Sequence, residues 1–282
     1  MASYPALDVR SPATDILLAL VDDLAPTAVE ERGESTRLFF EDADARDLAH
    51  SALGAARYTA DRIDVDDEDW ARRSQANLEP ITVGRITVAP PWAAPRTRHP
   101  APGTAPGTSH SAPGTVVILP SMGFGTGHHA TTRLCLQALQ TMDLENRSVL
   151  DIGTGSGVLA IAAVLLGAAR AVGIDYDADA IQAANESLCL NPGVETVELR
   201  VADLVTGGLA AADIVTANLT GASLMRFAGL LLDLLRPGGT LIVSGLLETE
   251  RDDVVRALAG PLIGIVWEQR EDGWVALAMK RS

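Results

Sequence analysis

The sequence predicts an α/β fold: a doubly wound sheet that closes with an antiparallel hairpin, preceded by a small α+β domain. Three observations carry this. Short apolar runs alternate with longer helical patterns through the second half of the chain. A Pro/Gly-rich stretch at 93–115 separates that half from a region of mixed strand and helix patterns. The C-terminus ends in two strand-like runs joined by Glu271-Asp272-Gly273, a tight-turn signal. With 282 residues, 47% of them hydrophobic, the chain can bury a core in each part.

In the first part, residues 6–10 read as a strand. Residues 11–25 read as a helix capped by Ser11 or Thr14, with Ile16, Leu17, Leu20 and Val21 on one face. Residues 29–40, broken at Gly33, read as a hairpin, 43–55 as an amphipathic helix and 58–65 as a strand. The order β-α-β-β-α-β suggests a ferredoxin-like domain over 1–65. Residues 66–115 are then a connecting segment. Within it, 93–115 contains APGT three times, beginning at Ala101, Ala105 and Ala112. Such a composition offers too little apolar surface to offset ordering entropy, which predicts a linker or disordered insertion.

The second part, 116–282, contains strands predicted at 149–152, 171–175, 197–203, 213–218 and 240–244, with helical patterns between them. Residues 263–270 and 274–280 form the terminal hairpin.

A formal charge of −15 and a pI near 4.6 argue against a direct nucleic-acid partner, which would need clustered Lys and Arg; they suit a basic protein partner better, or serve only to keep the protein soluble. The first ten residues lack the basic start and apolar run of a signal peptide. The longest apolar stretch, 158–169, is too short to span a bilayer before Arg170 interrupts it. A soluble cytoplasmic protein with no membrane partner is expected. Cys135 and Cys189 both fall in helical apolar patterns and make neither a disulfide framework nor a zinc ligand set, so no metal is expected.

The chemistry concentrates where the strand 149–152 runs into Gly153-Thr154-Gly155-Ser156-Gly157 and then a helix. Glycines permit the tight turn and let a ligand approach the backbone. The second strand ends in Asp175, 22 positions after Gly153, where a carboxylate can accept hydrogen bonds from both hydroxyls of an adenosine ribose. Asp177 suits helix capping instead. Asp203, at the end of the third strand, can meet an adenine amino group or be an exposed loop acid. On these features alone, NAD and S-adenosylmethionine are both admissible, although the spacing is G-x-G-x-G rather than the G-x-G-x-x-G of dinucleotide folds.

The flanking motifs discriminate. The run from Phe124, FGTGHHATTRLCL, is similar to the FGTGTHPTTxLCL of the PrmA family, the methyltransferases of ribosomal protein L11. VLDIGTGSGVLAIAA resembles that family's VLDxGCGSGILAIAA. GIDYDADAIQAANES, VTANL ending the fourth strand, LLRPGGTLIVSGLL and Gly273-Trp274-Val275-Ala276-Leu277 continue the match in order. Asp69-Trp70 and the segment from Val83 to Trp92 also resemble the family's interdomain region. The resemblance implies the Rossmann-like sheet of class I S-adenosylmethionine-dependent methyltransferases, with a substrate-recognition domain in front. It further implies that Thr132 contacts S-adenosylmethionine, that Gly153 and Gly155 pass beneath its methionine portion, that Asp175 holds its ribose, and that Asn218 lies beside the transferring methyl group.

Asn218 can orient an amine through its side-chain carbonyl but cannot take its proton. His128 and His129 are the nearest candidates for a base by sequence. Several positions depart from the family pattern. Thr154 stands for a cysteine, a change expected to be harmless because a backbone contact needs no thiol. His128-His129-Ala130 stands for Thr-His-Pro, and Leu119-Pro120-Ser121-Met122 replaces an acidic approach. The expected activity is N-methylation of lysine or α-amino groups of ribosomal protein L11. The alternatives are a methyltransferase of the same family acting on another protein or a small amine, and a non-catalytic cofactor-binding module.

Overall fold

The computed structural model describes residues 3–21, 24, 26–40, 42–66, 78–94, 114–119, 128–260 and 263–282. Backbone contacts divide the chain into two units, Met1–Asn77 and Leu78–Ser282. The FGTG of the loop motif, Asp69-Trp70 and most of the Pro/Gly-rich stretch lie outside the described residues.

The first unit runs β1 (Ser3–Val9), α1 (Thr14–Val21), β2 (Ala28–Glu31), β3 (Thr36–Phe39), α2 (Ala43–Ala55) and β4 (Ala60–Asp66). Its antiparallel sheet has the order β2-β3-β1-β4. Strand β1 points Leu7 and Val9 into a core shared with Leu38, Phe40, Ala49 and Leu53. Cross-strand partners Asp8 and Arg37 add a two-pronged ion pair at 2.6 and 2.7 Å. Helix α2 begins where Asp42 accepts the Ala45 amide at 2.8 Å. In α1 the buried face is narrower than the sequence pattern: Leu17 and Val21, one turn apart, are buried, whereas Ile16 and Leu20 are exposed.

In the second unit, β5 (Ile81–Val83), β6 (Ile86–Ala89) and β7 (Gly114–Val117) form a three-stranded sheet inside the segment that reads as a connection. Then follow α3 (Ala130–Gln140), β8 (Ser148–Ile152), α4 (Val158–Leu165), β9 (Arg170–Asp175), α5 (Ala178–Cys189), β10 (Val197–Val201) and β11 (Ala212–Asn218). Next are α6 (Gly221–Arg226), α7 (Ala228–Asp233), β12 (Leu235–Leu247), α8 (Arg251–Leu258), β13 (Ile263–Glu271) and β14 (Trp274–Arg281). The seven-stranded sheet has the order β10-β9-β8-β11-β12-β14-β13. Strands β8 to β12 are parallel, and β14 pairs antiparallel with both β12 and β13. The terminal hairpin turns through Asp272 and Gly273 with φ of +51° and +81°, the left-handed pair that a two-residue turn needs.

Strand β8 is buried along its whole length because helices cover both faces of the sheet. It sits where strand order reverses between β8 and β11, the point at which open α/β sheets leave a crevice at the carboxyl ends of their strands. Among the described residues no helix is long and apolar enough to cross a membrane.

Candidate active site

Registers across the sheet bring the carboxyl ends of four strands to one edge. Ile152 pairs with Ile174 on one side and Ala217 on the other, Asp175 pairs with Val201, and Asn218 pairs with Ser244. Gly153, Asp175, Asp203 and Asn218, chosen from the sequence, therefore share one rim.

The glycine loop after β8 is tightly wound. Gly153, Gly155 and Gly157 have φ of +68°, +51° and +81°, values that favour residues without a Cβ. A Cβ at Gly153 would lie 2.6 Å from Leu219 Cδ2, so this glycine is packed against the residue following Asn218. The Gly155 amide donates to Asp175 Oδ2 at 3.1 Å, which ties the loop to the end of β9. Asp175 Oδ1 accepts the Asp177 amide at 3.2 Å, and Asp177 caps α5 through the Asp179 amide at 2.9 Å. The Ala202 amide donates to the Asp175 carbonyl at 2.8 Å and holds the β10 end alongside. Asp203 bends its own loop, with Oδ1 accepting the Val205 and Thr206 amides at 2.7 and 3.0 Å.

Thr132 lies 2% exposed in the first turn of α3, beside the buried Thr131. His129 caps that helix, with its Nδ1 2.8 Å from Thr131 Oγ1 and its ring edge-on to Trp274 at 5.0 Å between centroids. Burial, and secondarily the Arg133 guanidinium, hold the His129 imidazole below its usual pKa. Arg133 donates to Glu271 Oε1 at 2.7 Å, to Asp272 Oδ2 at 3.3 Å and to the His128 carbonyl, so one side chain joins α3, the preceding loop and the terminal hairpin. His128 Nε2 lies 2.9 Å from the Glu79 carbonyl.

Beneath the loop sits Asp151, 1% exposed, which the sequence reading did not select. Thr154 Oγ1 donates to its Oδ2 at 2.6 Å and Thr216 Oγ1 to its Oδ1 at 2.5 Å. Burial pushes its carboxyl up to about 6 against the pull of those two donors, with Asp175 adding to the rise. The signal that could have found it is a charged residue inside the fully apolar run of a central strand.

The donor set suits an adenosyl compound with an aminoacyl tail. It offers a carboxylate at the end of β9, a glycine loop tied to that carboxylate by the Gly155 amide, and buried threonines at a helix start. A cavity of about 400 Å³ lined by Arg147, Asp213, Thr240, Trp267 and Lys280 lies at the opposite, amino-terminal rim of the strands and has no part in this arrangement.

Residues 28–282 match the family model for ribosomal protein L11 methyltransferase (PrmA). The match begins within the N-terminal unit, earlier than the motifs alone reach. The chain is 35% identical over 258 residues to the ribosomal protein L11 methyltransferase of Aliivibrio fischeri (strain MJ11), covering 89% of this chain and 82% of that protein. It is 37% identical over 271 residues to that of Azotobacter vinelandii, covering 90% and 84%. Among solved structures, a ribosomal protein L11 methylase from Lactobacillus delbrueckii subsp. bulgaricus superposes with a TM-score of 0.61 at 26% identity, over 73% of this chain and 98% of that one.

Proposed function

Because the chain belongs to the ribosomal protein L11 methyltransferase (PrmA) family, we propose that it transfers methyl groups from S-adenosylmethionine to lysine or α-amino groups of ribosomal protein L11. The observation that carries the reading is the shared rim at which the glycine loop, Asp175 and Asn218 meet. In this reading Thr132, Gly153, Gly155, Asp175, Asp203 and Asn218 hold the cofactor. S-adenosylmethionine supplies a methyl group already activated on a sulfonium. The protein's task is therefore alignment of the amine behind that carbon, for which orientation is worth several orders of magnitude.

Asn218 suits the alignment. It ends β11, its neighbour Leu219 is fixed by a 3.0 Å bond from its amide to the Ser244 carbonyl, and its side-chain carbonyl can accept from the attacking amine. That amine must be neutral. An α-amino group with a reference pKa near 7.7–8.0 is partly so at neutral pH, whereas a lysine near 10.4 must first lose a proton. His129, held toward its neutral form beside Trp274 at the mouth, lies on the same rim.

We read residues 116–282 as the cofactor-binding catalytic domain, 66–115 as the connection, and the N-terminal region 1–65 as a ferredoxin-like domain that grips the substrate protein. The βαββαβ order and the sheet order β2-β3-β1-β4 support the last assignment. The chain's acidity suits a basic protein target.

Labelled S-adenosylmethionine with ribosomal protein L11 tests the proposal, with Asp175→Ala and Asn218→Ala alongside. Transfer by the natural protein, weakened cofactor binding in the first variant and slowed turnover in the second are expected. Tight cofactor binding without transfer to L11 overturns the substrate assignment. The chain has a single lysine, Lys280, paired with Thr240 far along β12 from Ser244, so label on lysine is readily assigned to the substrate.

A further inference from the structure

None of the roles above uses Asp151, although it is the most deeply buried acid at the site. Its two oxygens reach different parts of the chain. Through Oδ2 it holds Thr154, whose amide donates to the Ile174 carbonyl at 2.9 Å and whose carbonyl accepts the Gly157 amide at 2.9 Å, so this residue anchors the middle of the glycine loop. The Thr154 hydroxyl packs over Gly173, where a Cβ would lie 2.6 Å away. Through Oδ1 it holds Thr216, two residues before Asn218 on β11 and therefore on the same face of that strand.

We propose that Asp151 is a positioning residue that couples the two halves of the active site, holding the cofactor loop through Thr154 and the Asn218 strand through Thr216. The inference rests on reading the glycine loop as the S-adenosylmethionine site.

A carboxylate buried this deeply is tolerated only when its lone pairs are engaged, and bonds from hydroxyls to a charged acceptor are short and strong. At neutral pH the group is ionised despite its raised pKa, so both hydroxyls can donate to it. Protonation would force one of the two bonds to reverse and loosen one half of the site. The titratable groups facing it are Asp175 at the end of β9 and Cys135 on α3, whose thiol burial pushes far above its usual range. A threonine hydroxyl donates well and a cysteine thiol weakly, so coupling through Thr154 belongs to this chain's own sequence rather than to a cysteine at that place.

The test compares Thr154→Val, Thr216→Val, the double variant and Thr154→Ser. Affinity for S-adenosylhomocysteine is measured by calorimetry from pH 5 to 8, together with kcat and KM for L11 methylation. The natural protein comes first: failure to bind S-adenosylhomocysteine would overturn the reading of the loop, separately from the coupling. Given binding, each valine variant should weaken affinity about tenfold, although Thr216 is not one of the cofactor-binding residues. The double variant should lose much less than the product of the two losses, and the serine variant should stay within about twofold of the natural protein. The acid limb of binding should shift to higher pH in either valine variant, at pH values where thermal melts show the variant still folded, because each lost donor lets the Asp151 carboxyl hold its proton more tightly. Unchanged affinity in Thr216→Val, multiplicative losses, or a serine variant as weak as the valine one would overturn the coupling. Should a valine variant fail to fold, Thr154→Ser against Thr154→Cys decides: the cysteine variant binding several-fold more weakly supports the proposal, and its equality with the natural protein refutes it.

Discussion

The peptide after Asn218 is set by a glycine on the neighbouring strand, and Gly245→Ala tests how tightly. Gly245 has φ of +86°, and a Cβ there would collide with the Leu219 carbonyl, its oxygen nearest and its carbon 2.8 Å away, and lie 3.1 Å from the Leu219 amide nitrogen. These are backbone atoms, held in turn by the Leu219 amide bond to the Ser244 carbonyl at 3.0 Å. Ordinary carbon contacts lie at about 3.5–4.0 Å, so the Leu219 peptide must retreat by roughly 0.7 Å. A non-glycine residue at positive φ costs about 1–2 kcal/mol and overpacking about 1–3 more, which predicts a destabilisation of roughly 2–5 kcal/mol. With Asn218 in its proposed place beside the transferring methyl, a retreat approaching 1 Å predicts a fall in kcat of about 10- to 100-fold. Cofactor affinity should fall less than kcat, because Asp175 is untouched and only the contact of Leu219 with Gly153 of the loop is disturbed. Thermal melts, cofactor calorimetry and initial-rate methylation of L11 measure the three quantities. A folded variant with the expected loss of stability and an unchanged kcat would refute the claim that the Leu219 peptide sets the position of Asn218.

Two further outcomes follow from buried polar groups. Burial raises Asp151 to about 6 from about 3.9 in the unfolded chain, so the native state holds the extra proton between those values. Its contribution therefore makes stability fall as pH rises from about 4 to 6. Two pH units at about 1.4 kcal/mol each give a change of roughly 3 kcal/mol, complete above the upper value. The difference in urea stability between the natural protein and Asp151→Asn, measured from pH 4 to 7, should trace that fall, and a flat difference would assign the raised proton affinity elsewhere. Asn191, 6% exposed, accepts the Val117 amide at 2.8 Å and donates to the Val117 carbonyl at 2.7 Å, so its side chain stands in for a neighbouring strand along β7. Asn191→Leu strips both partners and should cost about 2–4 kcal/mol in a denaturant melt; a loss below 0.5 kcal/mol would show that β7 does not need this contact.

Much of the second unit was legible in the sequence because its signals are local. Apolar runs at 149–152 and 213–218 mark strands covered on both faces, and Asp272-Gly273 marks a tight hairpin; in the first unit, the pattern at 43–55 likewise fits α2 to the residue. The place of Asp175 was legible because it closes a strand two positions before a helix cap; its bonds to the Gly155 and Asp177 amides were not. The strands β5, β6 and β7 were not legible. Each spans four residues or fewer, and β6 and β7 pair in parallel across a long separation in sequence. Their order depends on Asn191 and Gln140, which bond to Val117 and Val83 from helical regions far away in the chain.

Thr154 shows the same limit inside the site. From the sequence it is a harmless replacement in a loop that works through its backbone; in the fold its hydroxyl faces Asp151, whose other oxygen meets Thr216, 65 positions further on. Residue type, spacing and periodicity determine which faces are buried and where turns fall, because those depend on neighbours along the chain. Which buried acid meets which hydroxyl is decided only when β8, β9 and β11 come into register, because a hydrogen bond depends on distances of a few tenths of an ångström between strands that the chain visits at different times.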